Sequence, residues 1–243
     1  MMKTDYSIYS DRGSRAVNED RADCAFCKER ACFVLCDGLG GHGMGDVAAE
    51  ITVSALKQFF SECSSIGEFA ANAAEYAQAA VKQAQERDNR LKNMRTTAVV
   101  LCMEGRRGIA IHIGDSRLYR FRGGRMLSRT RDHSLPQILF MSGEIEEHEI
   151  RFHPDRNRLL RAIGDDAELL RPERTEFDIA PGDAFLLCSD GFWELITEPQ
   201  MEQLLQQSTG AEQWLSAMAE VVCRNGNPAK MDNNTAICVT VEE

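Results

Sequence analysis

Residues 33–43 read FVLCDGLGGHG, which sets four apolar residues directly before a carboxylate and a run of glycines. Apolar runs of this length, bounded by turn residues, fit strands covered on both faces. Such a strand has little use for an acid at its end unless that end faces something polar. Gly38, Gly40, Gly41, Gly43 and Gly45 let the backbone turn sharply and bring carbonyl groups close to a ligand before a helix begins at Val47. Taken alone, an Asp-Gly pair after a strand is an ordinary turn.

The arrangement recurs. FVLCDG (33–38), IHIGDS (111–116) and LLCSDG (186–191) each carry an apolar run into an aspartate and a small residue, and so deliver Asp37, Asp115 and Asp190 to strand ends. Two further acidic places are the NED of Asn18, Glu19 and Asp20, and Asp232 just before the last apolar run. Carboxylates brought within a few ångströms repel one another, and some must hold protons unless cations lie between them. Hard divalent ions take carboxylate, carbonyl and water oxygens, whereas zinc prefers closely spaced His and Cys. The donor inventory therefore indicates Mn²⁺ or Mg²⁺.

Further strand-like runs fall at 6–9, 32–36, 97–103, 109–113, 118–121, 184–188 and 236–241. Helical periodicity covers 47–60, with Ala48, Ile51, Ala55, Leu56, Phe59 and Phe60 on one face, and returns at 69–84 and 214–222. The order suggests a layered fold with helices outside sheets. Residues 132–163 break the pattern, being mixed, charged and holding Pro136 and Pro154, and read as a helical excursion that forms a flap.

At 243 residues and 43% hydrophobic, with no repeat or low-complexity linker, residues 1–243 are expected to form a single domain around a sizeable core. Twenty-eight basic residues against 38 acidic leave a net charge of −10, which disfavours nucleic acid and anionic membranes as partners. The first residues contain no apolar signal region, and runs such as 98–103 are far below the roughly 20 residues that cross a bilayer. A soluble, cytoplasmic protein without membrane insertion is expected. The nine cysteines are odd in number and several sit in apolar runs, consistent with free thiols in a reducing compartment.

The ordered blocks SRAVNED (14–20), DGLGGHGMG (37–45), RTTAV (95–99), HIGDSRLYRFRGGRM (112–126), TRDHSL (130–135), LLRAIG (159–164), PGDAFLLCSDGFWE (181–194) and MDNNTAICV (231–239) run through nearly the whole chain. Together they resemble the metal-dependent Ser/Thr protein phosphatases of the 2C (PPM) family in its short bacterial form. The resemblance implies an α+β fold, an α-β-β-α sandwich of two mainly antiparallel sheets with helices on both outer faces, and a two-metal centre at one end. It implies hydrolysis of phosphoserine and phosphothreonine in proteins by a metal-bridging hydroxide, opposing a Ser/Thr kinase in bacterial signalling. The partners implied are phosphorylated proteins, the kinase and its substrates among them, for a phosphatase expected to be a monomer.

By motif position, Asp37 would bridge the two ions. The Gly38 carbonyl and Glu19 would serve one, Asp190 and Asp232 the other, and Asp20 would hold metal-bound water from nearby. Asp115 and Asp190 match residues that hold a third, weaker ion in similar bacterial enzymes, although a cap for the turn that follows is the other reading of Asp115. Arg15 matches the arginine that grips the substrate phosphate, a task suited to the guanidinium fork. Leu39 stands where many eukaryotic members carry a histidine, and His42 either reaches the site or braces the glycine loop. His112 is expected as a satisfied sheet histidine and His133 at the base of the flap.

Three rival readings bear on the same residues. Cys24 and Arg30 have the Cys-x5-Arg spacing of thiol phosphatases, but the residues between them include no glycine to form a phosphate cradle. Cys24 and Cys27 make a lone CxxC with no second pair to complete a zinc site. A non-catalytic phosphatase-fold binding module would typically lack acidic ligands, and all of them are present here. Phe192 and Trp193 read as core rather than as an exposed platform.

Overall fold

The computed structural model describes residues 3–39 and 44–242. Strand β3 (Arg30–Cys36) is buried at every position, because both of its faces are covered. Cys32, Val34 and Cys36 pack toward helices, whereas Phe33 and Leu35 pack toward a second sheet. Period-two alternation therefore feeds two separate apolar layers from one strand.

The first sheet runs β10 (Glu173–Asp178), β7 (Arg107–Ile113), β6 (Ala98–Glu104), β3, β2 (Arg21–Cys27). The second runs β1 (Thr4–Asp11), β12 (Asn234–Val241), β11 (Asp183–Cys188), β8 (Arg117–Arg122), β9 (Arg125–Arg129). Neighbouring strands within each sheet pair antiparallel, as do the two-residue strands β4 (Gly38–Leu39) and β5 (Arg95–Thr96). Phe33, Leu101, Phe185, Leu187, Ile237 and Val239 fill the space between the sheets. Each such side chain contributes about 1.5–3 kcal/mol by leaving water.

Helices α1 (Gly45–Glu62) and α2 (Ile66–Arg87) cover the first sheet. The second sheet is covered by α4 (Asp190–Trp193), α5 (Glu198–Gln207) and α6 (Ala211–Asn225). The result is the expected α-β-β-α sandwich. On α1 the buried stripe is Ala48, Ala49, Thr52, Val53, Ala55, Leu56 and Phe60; Ile51 and Phe59, expected on it, lie at its margin. Helix α2 begins where the Ser65 hydroxyl accepts the Glu68 N–H at 3.1 Å, an N-cap that satisfies one of the helix's free donors. Phe192 and Trp193 are both core residues.

Register places the acidic loops. Arg21 lies opposite Cys36, Ala98 opposite Ile113, Cys188 opposite Ala236 and Asp11 opposite Asn234. Register thus sets the start of β2 and the ends of β3 and β7 at one end of the first sheet, and the end of β11 with the start of β12 at one end of the second. The hydrogen bond from Ser189, after β11, to Asp20, before β2, joins these two ends, so that Asp20, Asp37, Asp115, Asp190 and Asp232 adjoin the same end of the sandwich.

Residues 132–163 leave the sheets as helix α3 (Leu135–Ser142), stopped by Gly143 in the left-handed region (φ 80°), and the 3-10 turn Glu147–Phe152. The segment is tied at its root. Ser134 bridges Leu159, the His133 carbonyl accepts the Leu160 N–H at 2.9 Å, and Thr96 exchanges two backbone bonds with Ile163 (3.0 and 2.8 Å). The excursion is helical only in part: outside α3 and this 3-10 turn it is irregular.

Candidate metal centre

Asp37 follows β3 and is locked by the RTTAV segment. Its N–H donates to Thr97 Oγ1 (3.0 Å), and its carbonyl accepts from the Thr97 N–H (2.8 Å) and from Thr96 Oγ1 (2.8 Å). Gly38 then donates to the Glu19 carbonyl at 3.2 Å. A Cβ at Gly38 would meet the Gly45 carbonyl oxygen at 2.3 Å, so only glycine allows this backbone approach. Gly40, Gly41, His42 and Gly43 lie outside the described residues, and so does the expectation for His42.

The remaining acids are seated by neighbours that are themselves held. The Glu19 N–H donates to Asn233 Oδ1 (2.8 Å), while Asn233 Nδ2 donates to the carbonyls of Arg12 (2.9 Å) and Val17 (3.1 Å). Ser189 Oγ donates to Asp20 Oδ2 at 2.8 Å and accepts the Thr235 N–H at 3.0 Å. Asp20 Oδ1 is buried and has no hydrogen-bond partner among the described residues. Asp190 opens α4, where a Cβ on Gly191 would meet the Asn233 carbonyl at 2.1 Å. Arg15 Nη2 donates to Asp232 Oδ2 at 2.6 Å.

Glu19, Asp37, Gly38, Asp115, Asp190, Asp232 and Arg15 line one cavity of about 190 Å³. Asp20 sits just behind it, 2% exposed. Arg15, Glu19, Asp20, Asp37, Gly38, Asp115, Asp190 and Asp232 are therefore in or against it. Asn233 and Leu159 also line the cavity; both fall inside the motif blocks 231–239 and 159–164 without a role assigned to them there, whereas Asn157, a third lining residue, lies outside every block. Ser189 stands in the LLCSDG motif without a role of its own, and its signal is the hydroxyl immediately before Asp190. Glu194, paired with Arg156 at 2.7 Å, lies one helical turn beyond Asp190.

Electrostatics here are those of an uncompensated anionic nest. Burial, then repulsion from Asp20, Asp190, Asp115 and Asp232, holds the Asp37 carboxyl well above the usual range. Asp115 is raised in the same way, by burial and then by Asp190. Burial and the neighbouring carboxylates push Asp190 to about 6 and Asp20 to about 7; Glu194 reaches about 7 by burial and the charge on Asp190. An orphaned buried oxygen, five crowded acids and an all-oxygen donor set fit hard divalent cations.

His112, His133 and Glu173 also place ligand atoms within 4.8 Å of one another, but they do not suit a cation. The two rings are stacked, 4.8 Å apart and 21° from parallel, so their in-plane lone pairs do not converge. His112 Nε2 bonds the Arg131 carbonyl (2.8 Å) and His133 Nδ1 accepts the Gly114 N–H (3.1 Å). Arg161 Nη1 lies 3.4 Å from His133 Nε2. His112 is a satisfied sheet histidine, as expected, and His133 links the Asp115 loop to the root of the 132–163 segment.

Burial, His112 and Arg161 push the His133 pKa down to about 4. Between there and the ordinary value near 6.5 the unfolded chain binds a proton that the folded chain refuses. Its contribution to stability is complete above about pH 6.5 and is lost as pH falls toward 4. His133→Asn keeps an acceptor for the Gly114 N–H without titrating. Wild type should therefore lose about 2–3 kcal/mol relative to that variant between pH 7 and pH 4. Urea melts at the two pH values measure this; a pH-independent gap would contradict it.

The thiol-phosphatase reading fails on geometry. Cys24 pairs across the hairpin with Phe33, and Arg30 pairs with Cys27, so the segment is two strands and not a phosphate cradle. All nine cysteines are free, and no helix among the described residues is long and apolar enough to cross a membrane.

Comparison with known proteins agrees with the geometry. Residues 9–233 match the family described as Protein phosphatase 2C. The chain is 32% identical over 241 residues to the serine/threonine protein phosphatase PstP of Mycobacterium tuberculosis, covering 97% of this chain and 45% of that protein. It therefore spans about half the length of that relative. With the serine/threonine phosphatase stp of Listeria innocua it shares 30% identity over 238 residues, covering 94% and 92%. Its fold superposes on the crystal structure of M. tuberculosis PstP/Ppp with a TM-score of 0.85, at 30% identity and 99% coverage of both chains. The catalytic domain of PstP in complex with two manganese ions gives 0.83 at 28% identity, again over 99% of both chains. With its motifs, its layered sandwich and this match along most of its length, the chain belongs to the protein phosphatase 2C family.

Proposed function

We propose that this chain is a divalent-metal-dependent protein phosphatase that hydrolyses phosphoserine and phosphothreonine esters. The observation that carries this is the convergence of Glu19, Asp37, Asp115, Asp190 and Asp232 on one small cavity with Arg15 in its lining. Asp37 and the Gly38 carbonyl, with Glu19 on one side and Asp190 and Asp232 on the other, would hold two Mn²⁺ or Mg²⁺ ions. Asp115 with Asp190 would hold a third, and Asp20 would accept hydrogen bonds from behind. Such ions lower the proton affinity of water and offset phosphoryl charge.

The chain's own groups do the rest. The Arg15 side chain, 56% exposed, can present its fork to phosphoryl oxygens and orient the ester over the carboxylates. Leu39 lines the cavity and brings no proton for the leaving alkoxide. Ser189 and Asn233 fix Asp20 and the Glu19 backbone, so the acids need little rearrangement to take a cation. Phosphorylated proteins, a Ser/Thr kinase among them, are the proposed partners of a monomeric cytoplasmic enzyme. The net charge of −10 and the free thiols support that setting.

The test is direct. Purified protein with Mn²⁺ should release phosphate from a phosphothreonine peptide, and EDTA should stop it; binding without release would instead indicate a recognition module. Arg15→Ala should cut kcat/KM about 10–100-fold, with much of the loss in KM, as expected for one charge-assisted contact. Arg15→Lys should restore only part, because an ammonium cannot pair bidentately. Steady-state kinetics on both variants check it, and an unchanged KM would remove Arg15 from the phosphate site.

A further inference from the structure

Trp193 ends the short turn α4 that Asp190 begins, and it is 2% exposed. Its indole Nε1–H donates to the carbonyl oxygen of Asp115 at 3.0 Å. A single helical turn therefore carries one carboxylate and grips the backbone of another. An indole has one donor and no acceptor, so the bond has a defined direction and no substitute on the same ring.

The ring is held in turn. The Arg117 guanidinium lies over it, 3.4 Å from the ring centroid, with Arg151 at 5.5 Å. Arg117 is fixed by two bonds to Asp132 (2.8 and 2.7 Å) and one to the Tyr119 hydroxyl (2.9 Å). Arg151 donates to both Glu198 carboxylate oxygens (2.9 and 3.0 Å) and to the Ile196 carbonyl (2.8 Å). Asp132 and Arg151 belong to the 132–163 segment. Buried ion pairs rarely exceed well-packed apolar residues in stabilising a fold. This much charge around one tryptophan is better explained by a need to orient it.

We infer that Trp193 is a positioning residue that sets the spacing of Asp115 and Asp190 for a cation they share, and that Arg117 and Arg151 hold the indole at the angle this requires. The inference rests on the proposed sharing of an ion by Asp115 and Asp190. Without the indole N–H, the buried Asp115 carbonyl loses its donor, and the loop is free to shift by the fraction of an ångström that a ligand set does not tolerate. Glu19, Asp37 and Asp232 are anchored through Asn233, Thr96, Thr97 and Arg15 instead. Ions held mainly by them do not depend on Trp193.

Mn²⁺ binding followed by calorimetry, with electron paramagnetic resonance of free Mn²⁺ to count the weak class, tests this. The proteins compared are wild type, Asp115→Asn, Trp193→Phe and a protein with 3-benzothienylalanine incorporated at position 193. That analogue keeps the bicyclic ring but has no N–H, and it decides the matter if Trp193→Phe folds poorly. Asp115→Asn should remove the weakest class of sites. Both changes at Trp193 should weaken that class about tenfold, typical of removing a group that orients a ligand, while tighter sites stay within about twofold. Unchanged weak-class affinity in the benzothienylalanine protein, or equal weakening of all classes, would overturn the positioning role. If Asp115→Asn removes no class, the shared ion itself is refuted, which is a different result from a silent indole.

Discussion

Asp37→Asn should reduce phosphomonoester hydrolysis at least about 10³-fold while raising the melting temperature of the protein in EDTA. The first effect follows from the central place of Asp37 among the proposed ligands, where its loss removes charge that both ions would share. The second follows from electrostatics: burial and four neighbouring aspartates hold the Asp37 carboxyl well above its ordinary range. A neutral amide of the same shape relieves that repulsion. For a chain of this size each kcal/mol recovered is worth about 2–4 °C. A misfolded variant would lose activity and stability together, so opposite signs in the two measurements separate a functional ligand from a structural one. Retention of wild-type turnover would remove Asp37 from the chemistry.

Stripping the metal should destabilise the protein by several kcal/mol near pH 8 and much less near pH 5. Asp190 titrates near 6, and Asp20 and Glu194 near 7, in the folded chain, against ordinary values near 4. Between those limits the folded protein keeps protons that the unfolded chain has released. Stability in EDTA therefore falls as pH rises from about 4 through 7. His133 works in the opposite sense below about pH 6.5, but it is one group against a cluster. Saturating Mn²⁺ contributes about 2.7 kcal/mol per site at a hundredfold excess over Kd, and it meets no proton competition at high pH. Thermal melts with Mn²⁺ and with EDTA across pH 5–8 should diverge steadily. Parallel curves would mean that the acids are not where the ions bind.

Much of this could be read from the chain because the site is built at strand ends. Strand β3 advertises itself by an unbroken apolar run, and the acid after it needs no tertiary information to be noticed. The same holds for Asp115, Asp190 and Asp232. Edge strands were harder. β10 reads ERTEFD and is largely exposed, so it lacks the apolar signal that burial imposes. β2 is half-buried, and its cysteines suggested thiol chemistry instead. Helix α5 went unseen because only Met201 of its residues is buried, leaving no stripe to detect.

The groups that tune the site were less legible for a different reason. Ser189, Asn233 and Trp193 act through hydrogen bonds to site residues 169, 214 and 78 positions away. Such bonds leave no periodicity in the sequence. Arg15 shows the limit from the other side: without a family pattern it is one exposed arginine, and its contact with Asp232 emerges only when the loop after β1 closes on the start of β12. Burial of Asp20, and the resulting orphaned oxygen, is likewise a product of three-dimensional packing.

The central claim is that this acidic nest exists to hold divalent ions. Anomalous diffraction from crystals grown with Mn²⁺ tests it most directly. The account predicts at least two peaks in the cavity, one on each side of the Asp37 carboxylate, with the Gly38 carbonyl, Asp190 and Asp232 among the ligands. A cavity free of anomalous signal at saturating Mn²⁺, with these side chains unmoved, would contradict it.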